Sequence, residues 1–134
     1  MNKYQKLFNE LQQEKESSPK DANDHIMVFD GLNTFIRCFG ATPAYNEDGD
    51  HIGGITGFLY SVGKLVRDLK PTRCIIAFDG RGGSAKRKRI YKDYKANRAN
   101  KTKLRRFDHH ESSIEEEQES MRNQFSRLVS YLDN

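Results

Sequence analysis

The chain has 134 residues, of which 35% are hydrophobic and 31% are charged, and its formal net charge is +4. This length gives one domain or a part of one, no apolar run approaches the roughly 20 residues of a membrane span, and two cysteines are too few for a disulfide framework or a zinc site. The polar N-terminus does not have the pattern of a secretory signal. We therefore expect a reduced, cytoplasmic protein with no membrane partner, in which Cys38 and Cys74 are small core residues.

The N-terminal third predicts a polar extension followed by a strand and a helix. Residues 1–24 are the extension, in which the spacing of apolar residues predicts a short amphipathic helix over residues 3–15. The run from His25 to Asp30 has four consecutive apolar residues before an acid, which is typical of a buried parallel strand. A helix is expected to begin within residues 33–39.

A second strand and two further helices follow. Thr56 is the N-cap or a first-turn residue of an amphipathic helix that ends near Lys70. Residues 73–79 are the second predicted buried strand, so strand, helix and strand make a right-handed βαβ unit of an α/β fold. The last helix covers residues 114–132, with Ser113 as its N-cap. We expect the acids of residues 115–119 to be surface groups that compensate its dipole.

The positive charge is concentrated in one segment. Residues 81–106, called here the basic segment, contain twelve Lys or Arg and one acid, so the rest of the chain has a net charge of −7. A block of this size indicates a polyanionic partner, by default nucleic acid. The alternative is a solvated basic surface or a localisation tract.

The core of the basic segment interleaves cations with tyrosines. Arg forks onto a phosphate and Lys acts as a point charge, while tyrosine faces stack on unpaired bases. In a helix, Tyr91, Lys95 and Arg98 would lie on one face. The predicted DNA-binding residues are Arg87, Lys88, Arg89, Tyr91, Tyr94, Lys95, Arg98 and Lys101.

Asp30 and Asp79 each end a predicted strand, and each precedes a glycine. Ligand sites in parallel sheets lie at the carboxyl ends of the strands, so the two carboxylates are expected to converge on one cleft. Carboxylate oxygens suit Mg2+ or Mn2+, and two-metal sites clamp the attacking and leaving oxygens of a phosphodiester. The alternative is that each aspartate only caps a helix or a turn.

These motifs together resemble the flap-endonuclease and 5′→3′-exonuclease (5′-nuclease) family, over residues 25–134. The polar N-terminal extension of this chain is similar to that of the bacteriophage RNase H and 5′-exonuclease members of the family. The similar motifs, in matching order, are Phe29-Asp-Gly-Leu-Asn33, Gly54-Ile-Thr-Gly-Phe58, Ile76-Ala-Phe-Asp-Gly80, and Arg87 with Tyr94-Lys-Ala-Asn-Arg98.

The resemblance implies a PIN-like parallel sheet with flanking helices and a helical arch formed by the basic segment. Residues 25–134 would be the N-terminal part of a 5′-nuclease domain. Asp30 and Asp79 would be metal ligands, and Lys95 and Arg98 would be catalytic residues that contact the scissile phosphate. Tyr94 would stack on a base beside that phosphate. Arg87 would steer the 5′ end.

The implied activity is Mg2+- or Mn2+-dependent hydrolysis of DNA near 5′ ends and flaps, and of RNA primers on DNA, in replication or repair. The implied partners are flap DNA, RNA–DNA hybrids, replication proteins, and a C-terminal nuclease fragment or a second copy of the chain, in the host cytoplasm if a phage encodes it. Further acids of the family would lie beyond Asn134, so full activity is expected to need them. The alternatives are a catalytically incomplete DNA-binding module and a single-domain PIN-type ribonuclease with Glu119 as a third acid.

Overall fold

The computed structural model describes residues 21–79, 85–90, 92, 103–107 and 113–133, with residues 5, 6, 9, 10 and 13; for residues 86–88 it describes the backbone alone. Residues 5, 6, 9, 10 and 13 are helical and exposed. The apolar positions of the helix predicted over residues 3–15 lie outside the described residues. The elements are β1 Ile26–Asp30, α1 Gly31–Ala41, α2 Gly53–Leu69, β2 Arg73–Ala77, α3 Ala85–Ile90 and α4 Ile114–Leu132. No helix in this described part is both long enough and apolar enough to cross a membrane.

The two strands confirm the predicted α/β fold class. β1 and β2 pair in parallel, with Ile26 opposite Arg73 and Asp30 opposite Ala77. Helix α1 contacts both strands and packs against α2, and α2 in turn contacts α4. β2 ends at Ala77, two residues before the predicted end at Asp79.

The prediction that both strands are buried was wrong. Phe29 faces the core and is 7% exposed, whereas Val28 is 65% exposed, and Ile26 and Ile75 lie on the same exposed face. Among the described residues the helices cover only one face of the sheet, so the alternate side chains of each strand stay in contact with solvent. The prediction that both cysteines are core residues was wrong at Cys74, which is exposed although it lies on the same face of the sheet as Phe29 and Ile76.

The core lies where α1, α2 and α4 meet. Phe35, Phe39, Phe58 and Leu128 are fully buried there, and the Phe35 ring centroid is 5.2 Å from that of Phe125. All five of these residues lie on the apolar face that spacings of three and four residues give to each helix. Their burial supplies the main hydrophobic contribution to folding.

Two glycines allow α2 to approach α1 closely. A Cβ at Gly54 would lie 2.6 Å from the Phe35 ring, and a Cβ at Gly57 would lie 2.9 Å from the Cβ of Cys38. Both distances are shorter than a van der Waals contact, so a side chain at either position would push the helices apart.

The start of α2 is held by a residue from another helix. Ile52, its N-cap, supplies no side-chain hydrogen bond. Instead the Gln124 Oε1 of α4 accepts hydrogen bonds from Gly54 N at 2.9 Å and from Ile55 N at 3.3 Å. Unpaired N–H groups at a helix start need such acceptors. The helix therefore begins at Gly53, and Thr56 lies in its first turn, where its hydroxyl donates to the carbonyl of Ile52.

The predicted N-cap of α4 and the predicted end of α2 are confirmed, whereas α1 begins at Gly31, before the range 33–39 in which its start was expected. Ser113 caps α4 in a capping box, with Ser113 Oγ accepting from Glu116 N and the Glu116 carboxylate accepting from Ser113 N. α2 ends at Leu69, and Lys70 adopts a left-handed conformation with φ of 45°. Pro71 follows directly, since proline cannot continue a helix.

Candidate metal centre and nucleic-acid interface

Asp30 and Asp79 lie at the same edge of the sheet. Asp30 is the last residue of β1 and is in register with Ala77, and Asp79 follows Ala77 by two residues. Both aspartates are exposed. The parallel pairing therefore brings the two carboxylates to the carboxyl end of the strands, which is where ligand sites of parallel sheets form.

A packing contact ties the two aspartate positions together. Gly31 follows Asp30, and a Cβ at Gly31 would overlap the ring of Phe78, the residue before Asp79. The absent side chain lets the Phe78 ring lie against the first turn of α1. Phe78 also packs against Phe125, with ring centroids 5.5 Å apart. This contact explains why a glycine follows Asp30, and it holds both strand ends at one edge of the sheet.

Asp30 also caps a helix. Its Oδ1 accepts a hydrogen bond of 3.0 Å from Asn33 N in the first turn of α1, and its backbone is extended, as an N-cap requires. The capping interpretation of Asp30 is therefore correct for one carboxylate oxygen. The second oxygen accepts no hydrogen bond from any described residue and remains open to a further ligand.

The chemistry of this edge fits a hydrated hard cation. Carboxylate oxygens are the ligands that Mg2+ prefers, and Mg2+ commonly keeps several waters and takes one or two protein carboxylates. Among the described residues, no group of three or more His, Cys, Asp or Glu is arranged to hold a metal ion. Asp30 and Asp79 could therefore hold one cation through a minority of its ligand positions.

Most of the predicted DNA-binding residues lie outside the described part of the chain. These are Tyr91, Tyr94, Lys95, Arg98 and Lys101. The first described part of the basic segment is the short helix α3. Arg89 is exposed there, and the side chains of Arg87 and Lys88 are not described. Arg89 thus has the solvent exposure that a phosphate contact needs.

The prediction that the acids of residues 115–119 are surface groups was wrong at Glu117, which is paired with Arg105. Glu117, expected on the surface, is 2% exposed, and its Oε2 accepts from Arg105 Nε at 3.3 Å. Arg105 belongs to the basic segment, but its side chain is 5% exposed, so this cation is not available to a phosphate. The other acids of the run, Glu115, Glu116 and Glu119, are exposed as predicted.

Sequence reasoning also missed two buried polar residues beside the core. His51 is 6% exposed and its Nε2 lies 3.0 Å from the carbonyl of Thr42, while Gln124 is 5% exposed and bonds to the start of α2. A cleft of about 380 Å³ opens above them between residues 46–55 and α4. Its lining includes neither Asp30 nor Asp79, so the cleft is separate from the aspartate edge.

Comparisons with known proteins give a family match over most of the chain. Residues 25–134 match the family described as 5'-3' exonuclease, N-terminal resolvase-like domain. The chain is 38% identical over 87 residues to a DNA polymerase I of Rhizobium leguminosarum, a match that covers 57% of this chain and 8% of that protein. It is 30% identical over 82 residues to a 5'-3' exonuclease of Bacillus subtilis, covering 58% of this chain and 27% of the relative.

A third relative is covered more fully. The chain is 32% identical over 106 residues to the flap endonuclease Xni of Shewanella amazonensis, covering 70% of this chain and 40% of that protein. This chain therefore spans between 8% and 40% of the length of these relatives. No solved structure gives a significant match. The match over residues 25–134 shows that the chain belongs to the 5'-3' exonuclease N-terminal resolvase-like domain family.

Proposed function

We propose that this chain is the N-terminal, metal- and DNA-binding part of a divalent-metal-dependent 5′-nuclease. Its substrate would be DNA with a 5′ end or flap, and RNA primers on DNA, in replication or repair. Residues 25–134 would form this part of the nuclease domain, with residues 1–24 as an extension. The relatives named 5'-3' exonuclease and flap endonuclease support this class of reaction.

The observation that carries the proposal is the position of Asp30 and Asp79 at one sheet edge, held there by the contact of Phe78 on Gly31. A bound Mg2+ or Mn2+ would supply neutralisation of charge on a phosphodiester and activation of a water molecule. The open oxygen of Asp30 and the exposed carboxylate of Asp79 would orient that cation toward the solvent side, where a DNA strand can reach it.

The basic segment would provide the DNA contacts. Arg89, exposed in α3, together with Arg87 and Lys88, would neutralise phosphates. We propose further that Lys95 and Arg98 contact the scissile phosphate, that Tyr91 and Tyr94 stack on unpaired bases, and that Lys101 adds a phosphate contact. These roles rest on the motif resemblance and on the charge of the segment.

A second candidate is a DNA-binding module that does not cleave. The observation that favours it is the lack of a third metal-holding carboxylate among the described residues. Full two-metal chemistry uses more ligands than two. Under the first proposal those acids come from additional polypeptide, a C-terminal nuclease fragment or a second copy, and under the second they are not needed.

The test is incubation of the chain with a 5′-labelled flap duplex in Mg2+ and in EDTA, beside the variants Asp30→Asn and Asp79→Asn. Asparagine is as good an N-cap as aspartate, so Asp30→Asn removes the charge while it keeps the hydrogen bond to Asn33. Asp48→Asn is the matched control, since Asp48 is exposed in the loop before α2.

Cleavage that needs Mg2+ and both strand-end aspartates, and that Asp48→Asn leaves intact, would support the nuclease. Binding that falls steeply with salt, without cleavage and without any response to EDTA, would favour the binding module. Absence of DNA binding at low salt would contradict both.

A further inference from the structure

Residues 103–107, called here the anchor segment, include the C-terminal end of the basic segment and are attached to the core. Arg106 N donates a hydrogen bond of 2.8 Å to the carbonyl of Gly40 in α1. Leu104 N donates to Glu117 Oε1 in α4 at 2.5 Å. Phe107 packs against His51, with ring centroids 5.3 Å apart. The anchor segment thus contacts α1, α4 and the loop before α2.

Glu117 is central to this attachment. Both of its carboxylate oxygens are used by the anchor segment, one by Leu104 N and the other by Arg105 Nε. The side chains of Glu117 and Arg105 are 3% and 5% exposed. Burying two charges is costly unless each finds its partner, and the observed position of the anchor segment pairs both charges.

Gly40 gives independent evidence that α1 is shaped to bind the anchor segment. A Cβ at Gly40 would lie 2.6 Å from the carbonyl oxygen of Leu104. A glycine at the end of α1 therefore allows the backbone of the anchor segment to approach. Because Asp30 is the N-cap of α1, this one helix links the proposed metal edge to the point where the basic segment is attached.

We propose that Glu117 is a positioning residue for DNA binding: it fixes the C-terminal end of the basic segment to α1 and α4, and so lowers the conformational freedom that the segment loses when it binds DNA. This inference rests on the proposed DNA-binding function of the basic segment. Arg105 itself is buried and contacts no phosphate. Fixing one end of a binding segment in advance lowers the entropy lost on binding.

The experiment measures affinity for a fluorescent flap duplex over a range of salt concentrations, by anisotropy. Glu117→Gln keeps an acceptor for Leu104 N but places an amide nitrogen beside Arg105 Nε, so two donors face each other. We expect its affinity to fall roughly tenfold, with a shallower dependence on salt. The double variant Glu117→Gln with Arg105→Met removes both charges and keeps a side-chain oxygen that accepts the hydrogen bond from Leu104 N. We expect its affinity to return to within about twofold of the original.

Two comparisons separate positioning from stability and from direct contact. Urea titration gives the folded fraction of each variant, so affinities are compared at equal folded concentration; a merely stabilising pair would change the urea midpoint and leave affinity unchanged. Arg89→Met tests direct contact and should reduce the slope of log affinity against log salt by about 0.9, the value for one phosphate. Gly40→Ala displaces the anchor segment without altering charge, and it should also weaken binding. This variant keeps the inference testable if Glu117→Gln does not fold.

Wild-type binding with a loss in Glu117→Gln, or in Gly40→Ala, and recovery in the double variant would support the inference. Wild-type binding that both single variants retain would overturn the inference while leaving the DNA-binding proposal standing. If the wild-type chain itself shows no salt-dependent binding, the proposed DNA-binding function fails and the inference fails with it.

Discussion

The dependence of α2 on Gln124 gives a sharp prediction about stability. Gln124→Met keeps the length and approximate volume of the side chain but removes its oxygen and nitrogen. Two N–H groups of α2, at Gly54 and Ile55, would lose their acceptor, and the His51 carbonyl would lose the donor Gln124 Nε2. Gly54 and His51 are buried, so water cannot easily replace these partners.

The expected cost follows from the number of groups left unpaired. A buried backbone group without a partner costs about 1–3 kcal/mol. Ile55 is only partly buried and can recover a water, so we expect a total loss of about 2–4 kcal/mol in the free energy of unfolding. With an m-value of about 2 kcal/mol per molar urea, the midpoint would fall by about 1–2 M.

The assay is urea unfolding followed by circular dichroism, with the m-value compared between variants. Gln118→Met is the matched control, because Gln118 lies on the same helix and forms no hydrogen bond with any described residue. We expect Gln118→Met to change stability by less than about 0.5 kcal/mol. A Gln124→Met variant as stable as the control would refute the idea that α4 caps α2.

Three further predictions concern helix ends and helix packing, each measured by the same urea titration. Lys70→Gly should stabilise the protein by about 0.5–1 kcal/mol, because Lys70 has φ of 45° and glycine adopts this conformation without strain; a loss of stability would contradict this. Ser113→Ala should cost about 1 kcal/mol through loss of the capping box, and an unchanged midpoint would argue against it. Gly54→Ala should destabilise by about 1–3 kcal/mol, since its Cβ would lie 2.6 Å from Phe35. Gly63→Ala is its control, where the nearest atom is 3.5 Å away and alanine should stabilise the helix by about 0.5–1 kcal/mol; equal effects at both positions would contradict the packing account.

Features that depend on local pattern could be predicted from the sequence. The apolar spacing in α1, α2 and α4 placed Phe35, Phe58 and Leu128 in the core, because a helix presents every third or fourth residue on one face. The two strands and their aspartates followed from short apolar runs that end at an acid. Parallel pairing then brought Asp30 and Asp79 to one edge.

Features that depend on a partner distant in sequence could not be predicted. Gln124 and Glu117 occur in a polar helix sequence, where residue type alone indicates a surface position. Each is buried because a specific group meets it, the N-terminus of α2 in one case and Arg105 in the other. The exposure of Val28 and Ile75 was missed for a related reason. An apolar strand indicates that burial of both its faces is favourable, but it does not show which element would pack against each face.

The central claim is that Asp30 and Asp79 form one divalent-cation site, and direct binding of Mn2+ tests it most simply. The free Mn2+ signal in electron paramagnetic resonance would be followed as the chain is titrated, for the wild type and for Asp30→Asn, Asp79→Asn and Asp48→Asn. We expect the wild type and Asp48→Asn to bind Mn2+ alike, and both strand-end variants to lose most of that binding while they remain folded. Equal Mn2+ binding by all four proteins would contradict the account.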